Sequence, residues 1–187
     1  ISEAVNVALN SDVVVLCVGL DETLEGEEGD TGNEYASGDK ATLQLPESQR
    51  RLIKAVLDTG KPTVVVISAG SSVVTGDDRE NALICAWYSG PHGGTALADI
   101  LFGDVSPSGK LPVTFYKDTD SLPEFTDYSM KNRTYKYLED DSNVLYPFGF
   151  GLTYSEFTSE LISVEKTEKG RIARVKATNI GECDSNE

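Results

Sequence analysis

Val13 to Leu20 reads VVVLCVGL, an uncharged run set between Ser11-Asp12 and the acidic stretch that begins at Asp21. Unbroken apolar runs rich in β-branched residues predict a strand buried on both faces, as in parallel sheets covered by helices. The neighbouring segments extend the pattern. Upstream, Ser2 to Asn10 (SEAVNVALN) carries Ala4, Val5, Val7, Ala8 and Leu9 and predicts the end of a helix. Downstream, Leu45-Pro46-Glu47 opens a second helix with Pro46 near its first turn. Arg51, Leu52, Ala55, Val56 and Leu57 continue it at helical spacing to the Gly60-Lys61-Pro62 stop. Thr63 to Ser68 (TVVVIS) predicts a second buried strand, and Leu83 to Trp87 a third apolar run. Thr95 to Phe102 is a short helix closed by Gly103. This alternation predicts an α/β fold with a mainly parallel sheet flanked by helices. In such sheets, loops leaving the carboxyl ends of strands carry the chemistry, and Asp21 to Lys40 is such a loop.

From Val105 the texture changes. Pro107, Gly109, Pro112, Pro123, Pro147, Gly149 and Gly151 punctuate aromatic and β-branched residues and predict an irregular, turn-rich stretch. Glu160 to Lys166 and Arg171 to Thr178 alternate in the strand manner around Lys169-Gly170. They predict a hairpin that opens an all-β unit, with too few strands before Glu187 to close a sandwich.

Composition narrows the function classes. The chain has 187 residues, with 16 Lys and Arg against 31 Asp and Glu, a net charge of −15. A sequence pI near 4.4 argues against nucleic acid, whose phosphates need a basic patch. At 39% hydrophobic residues, with the dense runs above, whole-chain disorder is excluded. The longest apolar run falls far short of a membrane span. Residue 1 is Ile with no signal-peptide pattern after it, so the expectation is a chain that begins in mid-protein. Cys17 and Cys85 sit in apolar stretches and Cys183 in a polar tail, without Cys-x-x-Cys spacing. The expectation is two buried thiols and one exposed, no disulfide framework and no metal site. Free thiols slightly favour a cytoplasmic setting.

The segment from Leu20 to Lys40, LDETLEGEEGDTGNEYASGDK, concentrates Asp21, Glu22, Glu25, Glu27, Glu28, Asp30, Glu34 and Asp39. Three roles compete for these acids. They form a solvated loop, or they serve as general acid and base in glycosyl transfer, or they bind a cation. The run lacks the order of an EF-hand loop. Crowded carboxylates repel one another, which raises one pKa and keeps a proton ready for donation. No Gly-x-Ser-x-Gly elbow supports a serine hydrolase, and the glycines around His92 form no phosphate loop. His92, the one histidine, sits in the turn Ser89-Gly90-Pro91-His92-Gly93-Gly94, either structural or in contact with a ligand. Trp87 and Tyr88 at a strand end are either core or a surface on which a sugar stacks.

Pro107-Ser108-Gly109-Lys110-Leu111-Pro112-Val113-Thr114-Phe115 and Tyr146-Pro147-Phe148-Gly149-Phe150-Gly151-Leu152-Thr153-Tyr154 resemble two signatures of glycoside hydrolase family 3, the family of β-glucosidases and β-xylosidases. Ala86-Trp87-Tyr88, Gly93-Gly94, Ala96 and Leu101-Phe102-Gly103 also resemble its pattern. Leu45-Pro46, Gln49, Leu52-Ile53 and Asn132-Arg133-Thr134-Tyr135 do so too, in the family's order.

The resemblance implies a specific architecture: residues 1–154 as the family's C-terminal α/β sandwich domain and residues 155–187 as the start of an incomplete fibronectin-III-like unit. It implies a retaining β-glycosidase whose Asp nucleophile lies on an N-terminal (β/α)8 barrel, a partner absent from this chain. Ser11-Asp12-Val13 does not match the family's Ser-Asp-Trp context for that nucleophile. The acid/base Glu is implied on the loop after the first strand, where the family reads roughly Glu-Gly-Glu-Gly-x-Asp-Arg. Against that pattern, Glu25-Gly26-Glu27-Glu28-Gly29-Asp30-Thr31 makes Glu27 the acid/base candidate and Glu28 the second choice. Asp30, Trp87 and His92 are the candidate substrate contacts, the last two with the structural roles above as their alternatives. Thr31 stands where the family has Arg, and Pro91-His92 replaces its frequent Gln-Glu. The implied substrates are β-linked oligosaccharides or aryl glycosides, with no cofactor, and the fragment alone is expected to be inactive. The alternative is a stand-alone carbohydrate-binding or scaffold module without catalysis. An unrelated acidic α/β domain would match these ordered motifs only by chance.

Overall fold

A computed structural model describes residues 1–26 and 40–186. The described chain divides into two compact units, Ile1–Gly93 with Val113–Pro147 and Gly94–Pro112 with Phe148–Glu187.

The first unit is built on a three-stranded parallel sheet. Helix α1 (Ser2–Leu9) leads into β1 (Val14–Gly19), α2 (Glu47–Leu57) connects to β2 (Thr63–Ser68), and β3 (Ala82–Cys85) follows. The order is β1-β2-β3, with Val14 beside Thr63 and Val64 beside Ala82. Asn81 sets the second pairing: its side-chain oxygen accepts from Thr63 N–H at 2.9 Å and its own N–H donates to Thr63 O at 3.0 Å. Pro46 precedes the first turn of α2, as its missing N–H and fixed φ favour. Ile53 and Leu57 of α2 then pack with Val18, Val65 and Ile67 of the sheet and with Leu45 and Val73. Ile53 is fully buried, a burial that stabilises by about 1.5–3 kcal/mol.

The alternation of strand and helix predicted from the sequence is present, and β2 covers the same residues as the predicted run. Burial of both faces holds for β2, where Val65, Val66 and Ile67 are all buried, and fails for β1. β1 is one of the two edge strands, and it is Val18, with Leu16 beside it, that joins the core shared with α2. Val15 and Cys17, which point the other way by the two-residue period, are exposed. The expected pair of buried cysteines is corrected accordingly. Cys17 and Cys183 are exposed, Cys85 is half-buried, and all three are free thiols.

The rest of the first unit is the turn-rich stretch. β4 (Phe115–Tyr116) pairs antiparallel with β5 (Val144–Tyr146), with α4 (Thr134–Tyr137) between them in sequence. Phe115 is buried and meets the rings of Trp87 and Tyr146 edge-on, with centroids 6.1 and 6.4 Å away. The Arg133 guanidinium donates to the carbonyls of Ser129, Glu124 and Asp127. It organises the loop ahead of α4.

The second unit begins one residue into α3 (Gly93–Phe102), which ends at Gly103, whose φ of +80° suits glycine at a helix C-terminus. The two proline-glycine signatures pair here: Leu111 N–H donates to Phe150 O and Gly149 N–H to Leu111 O, both at 2.8 Å. A Cβ on Gly151 would stand 2.1 Å from Gly109 O, so this approach requires glycine. The hydroxyls of Ser106, Thr153 and Ser185 form a small network beside it. β6 (Phe157–Thr167) and β7 (Gly170–Asn179) form the predicted antiparallel hairpin, with a bulge between Leu161 and Ser163.

Candidate functional site at the carboxyl edge of the parallel sheet

Because β1, β2 and β3 run parallel, their carboxyl ends reach one edge, and three connections leave from it: residues 20–26, 69–72 and 86–89. Gly19 closes β1 where a Cβ would meet Ser68 O at 1.9 Å, so the first two connections start in close contact. Gln49 of α2 fixes the same point. Its amide oxygen accepts from Gly19 N–H at 2.9 Å and its amide nitrogen donates to Gly19 O at 2.7 Å.

Asp21 folds the first connection. Its carboxylate accepts from the Thr23 hydroxyl at 2.6 Å and the Thr23 N–H at 3.0 Å, which together hold it below the usual carboxylate range. The Glu25 N–H returns to Asp21 O at 2.8 Å, turning the Glu25 side chain across the edge. There its carboxylate accepts from Gly70 N–H at 2.7 Å, from the Ser71 hydroxyl and from the Tyr88 hydroxyl. The Lys40 ammonium stands 3.8 Å away and donates to the Ser71 hydroxyl at 2.6 Å and to Ser72 O at 3.2 Å. Both charged side chains are nearly buried, with 12% of Glu25 and 10% of Lys40 exposed.

Burial pushes the Glu25 carboxyl up, but the donors Ser71, Tyr88 and Gly70 and the Lys40 charge outweigh it. Glu25 therefore lies below its ordinary value. Burial pulls the Lys40 ammonium down, and Glu25 restores part of the loss. Burial, and then the adjacent Glu25 carboxylate, push the Tyr88 phenol up to about 12, so its hydroxyl keeps its proton and acts as a donor. The arrangement holds one ionised carboxylate among three donors and a cation at the edge where parallel sheets bind ligands.

The third connection turns sharply. Trp87 has φ +52°, a left-handed conformation that is strained in a bulky residue. Such strain costs of order 1–3 kcal/mol and clusters at functional sites. The turn sends the half-buried Trp87 ring against Phe115 and leaves Tyr88 at the edge. His92 is exposed in the turn that enters α3. Glu27, Glu28 and Asp30 lie outside the described residues. Trp87 and His92 are expected contacts from the sequence, whereas Glu25 stands there only as one acid of the loop and of the family pattern, and Ser71 and Lys40 carry no role. Glu25 and Tyr88 are 63 positions apart, so no spacing could have linked them. Among the described residues, no group of three or more His, Cys, Asp or Glu side chains could hold a metal ion. No described helix is long and apolar enough to cross a membrane.

Residues 1–154 match the profile of the glycosyl hydrolase family 3 C-terminal domain. The chain belongs to this family. Its relatives are glycoside hydrolases. A xylan 1,4-beta-xylosidase of Xylanibacter ruminicola is 42% identical over 179 residues, covering 93% of this chain and 20% of the relative. Among solved structures, a family 3 beta-glucosidase of Bifidobacterium adolescentis superposes with a TM-score of 0.82 at 35% identity, covering 98% of this chain and 28% of that one. A beta-glucosidase of Kluyveromyces marxianus in complex with glucose gives 0.80 at 30% identity, covering 97% and 22%. The family 3 domain described here thus spans between a fifth and three tenths of the length of these relatives.

Proposed function

We propose that this family 3 domain is one half of a retaining β-glycosidase that cleaves β-linked oligosaccharides or aryl glycosides. The acid/base carboxylate comes from the connection after β1, with Glu27 in that role and Glu28 as the second choice. Asp30, Trp87 and His92 are its proposed substrate contacts. The nucleophile is an Asp on an N-terminal (β/α)8 barrel of the same parent protein. Residues 1–154 serve as the α/β sandwich and residues 155–187 as the first strands of a fibronectin-III-like unit.

One observation carries this reading. Glu25 and Lys40, which bracket Glu27 and Glu28 in sequence, meet at 3.8 Å on the carboxyl edge of the sheet. The connection that bears those acids therefore starts and ends where an α/β sheet presents its ligand-binding groups. Glu25-Gly26-Glu27 resembles the family's acid/base loop.

The chemistry then divides between two carboxyl groups about 5–5.5 Å apart. The barrel carboxylate attacks the anomeric carbon as the glycosidic C–O bond breaks, and Glu27 gives its proton to the leaving oxygen. In the second step Glu27 takes a proton from water, whose oxygen displaces the enzyme carboxylate from the sugar. Holding each group on its own domain pays the orientation cost before reaction.

In the barrel-containing parent, Glu27→Gln is expected to slow substrates with poor leaving groups far more than aryl glycosides, whose leaving group needs little protonation. Added azide should rescue the aryl substrate. Equal losses on both classes, without rescue, would remove Glu27 from the role, and the same experiment on Glu28→Gln then decides the second choice. The 187-residue chain on its own is expected to show no turnover of aryl β-glucosides or β-xylosides. Turnover by that chain would overturn the division of labour.

A further inference from the structure

Tyr88 is 54% exposed, yet its hydroxyl and one edge of its ring both have contacts. Its hydroxyl reaches the Glu25 carboxylate and lies 3.1 Å from Leu20 O. One edge of its ring rests on Gly70, where any Cβ would come within 2.8 Å of Cε2 and 3.3 Å of Cδ2. At the left-handed turn, one side of the half-buried Trp87 ring meets Phe115, and Tyr88 follows at the carboxyl edge. Phe125 and Tyr128 are more exposed but belong to the connection between β4 and β5.

A flat ring anchored at its polar tip and along one edge, with the remainder open, is a preformed stacking surface. Its rotamer freedom is already spent, so a ligand does not bear that cost on binding. The ligand that suits it is a pyranose, which offers a face of C–H bonds to the π-cloud and a rim of hydroxyls to neighbouring polar groups. The Glu25 carboxylate at the ring's edge has three hydrogen-bond donors and acceptor capacity for one more.

We propose that Tyr88 is a sugar-stacking platform, binding a pyranose ring of a β-linked substrate beside the acid/base connection. The inference rests on the glycosidase reading and adds to it a binding residue contributed by this domain.

The test titrates the isotopically labelled 187-residue chain with xylobiose and with cellobiose, following backbone amides and aromatic protons by NMR. Saturable shifts centred on Tyr88 and Gly70 are expected with at least one disaccharide. Tyr88→Leu, which removes the flat face but keeps apolar bulk, should weaken binding by roughly fivefold to tenfold. Tyr88→Phe, which keeps the flat face but loses the hydroxyl anchor on Glu25, should weaken binding less than Tyr88→Leu does. Shifts centred elsewhere, no saturable shift with either sugar, or a folded Tyr88→Leu chain that binds like the parent would each overturn the proposal. Should Tyr88→Leu fail to fold, the shift map of the unaltered chain decides alone. The titration needs no turnover, so a negative result leaves the glycosidase reading standing, and failure of the Glu27→Gln experiment leaves the platform standing.

Discussion

Gly70 occupies a position where a single methyl group has no room: its Cβ would lie 2.8 Å from the Tyr88 ring and 3.2 Å from the Glu25 carboxylate. Gly70→Ala is therefore expected to cost about 1–3 kcal/mol through displacement of those side chains, read as a lower urea midpoint. Glu25 makes a second expectation, in pH. Its folded-state pKa is depressed, so its contribution is complete above the ordinary carboxylate range and is lost as pH falls through the lowered value. Glu25→Gln should lower stability at neutral pH and flatten the fall between neutral and acid conditions, measured by urea unfolding across that range. A mutant with the parent's acid-side slope would show that other carboxylates dominate it. The site was only partly legible at this scale. The acidic run announced itself by composition, and Trp87-Tyr88 by its place after an apolar run. The Glu25–Ser71–Tyr88–Lys40 constellation stayed hidden because strand ends far apart in sequence meet only once the parallel sheet has formed.

Elements were far more legible than side-chain contacts. Apolar periodicity marked α1, β1, α2, β2, β3 and α3, because each must bury a face and its sequence carries that requirement. What periodicity could not tell was how many faces of β1 are covered, since a strand's neighbours are a tertiary fact. The two faces should respond differently to mutation. Ile53→Ala, beneath the sheet, is expected to cost about 2–5 kcal/mol, whereas Val15→Thr on the exposed face of β1 should stay within about 0.5 kcal/mol. Gln49→Ala strips the end of β1 of both hydrogen bonds to Gly19. It should cost about 1–3 kcal/mol and accelerate amide exchange at Gly19. An unaltered Gly19 amide would show that water replaces Gln49 without loss.

On the scale of the whole molecule, stability is expected to be uneven. β2 lies in the centre of its sheet with most of its residues buried, while almost every residue of β6 and β7 is exposed. A two-stranded hairpin without a covered face is marginal by itself. Amides of Phe157–Asn179 should therefore exchange through local opening, at least about tenfold faster than those of Thr63–Ser68. Equal protection in the two regions would contradict this and indicate one cooperative unit. The turn at the end of β3 has a different consequence. Trp87 is the chain's single tryptophan, and its ring is wedged against Phe115 one residue before Tyr88. The molecule thus carries one indole fluorophore, placed at the edge where the acidic connection is anchored. Whatever disturbs that corner, whether a sugar on Tyr88, a proton on Glu25 or a new domain arriving beside it, will be reported in the colour and intensity of one residue's light.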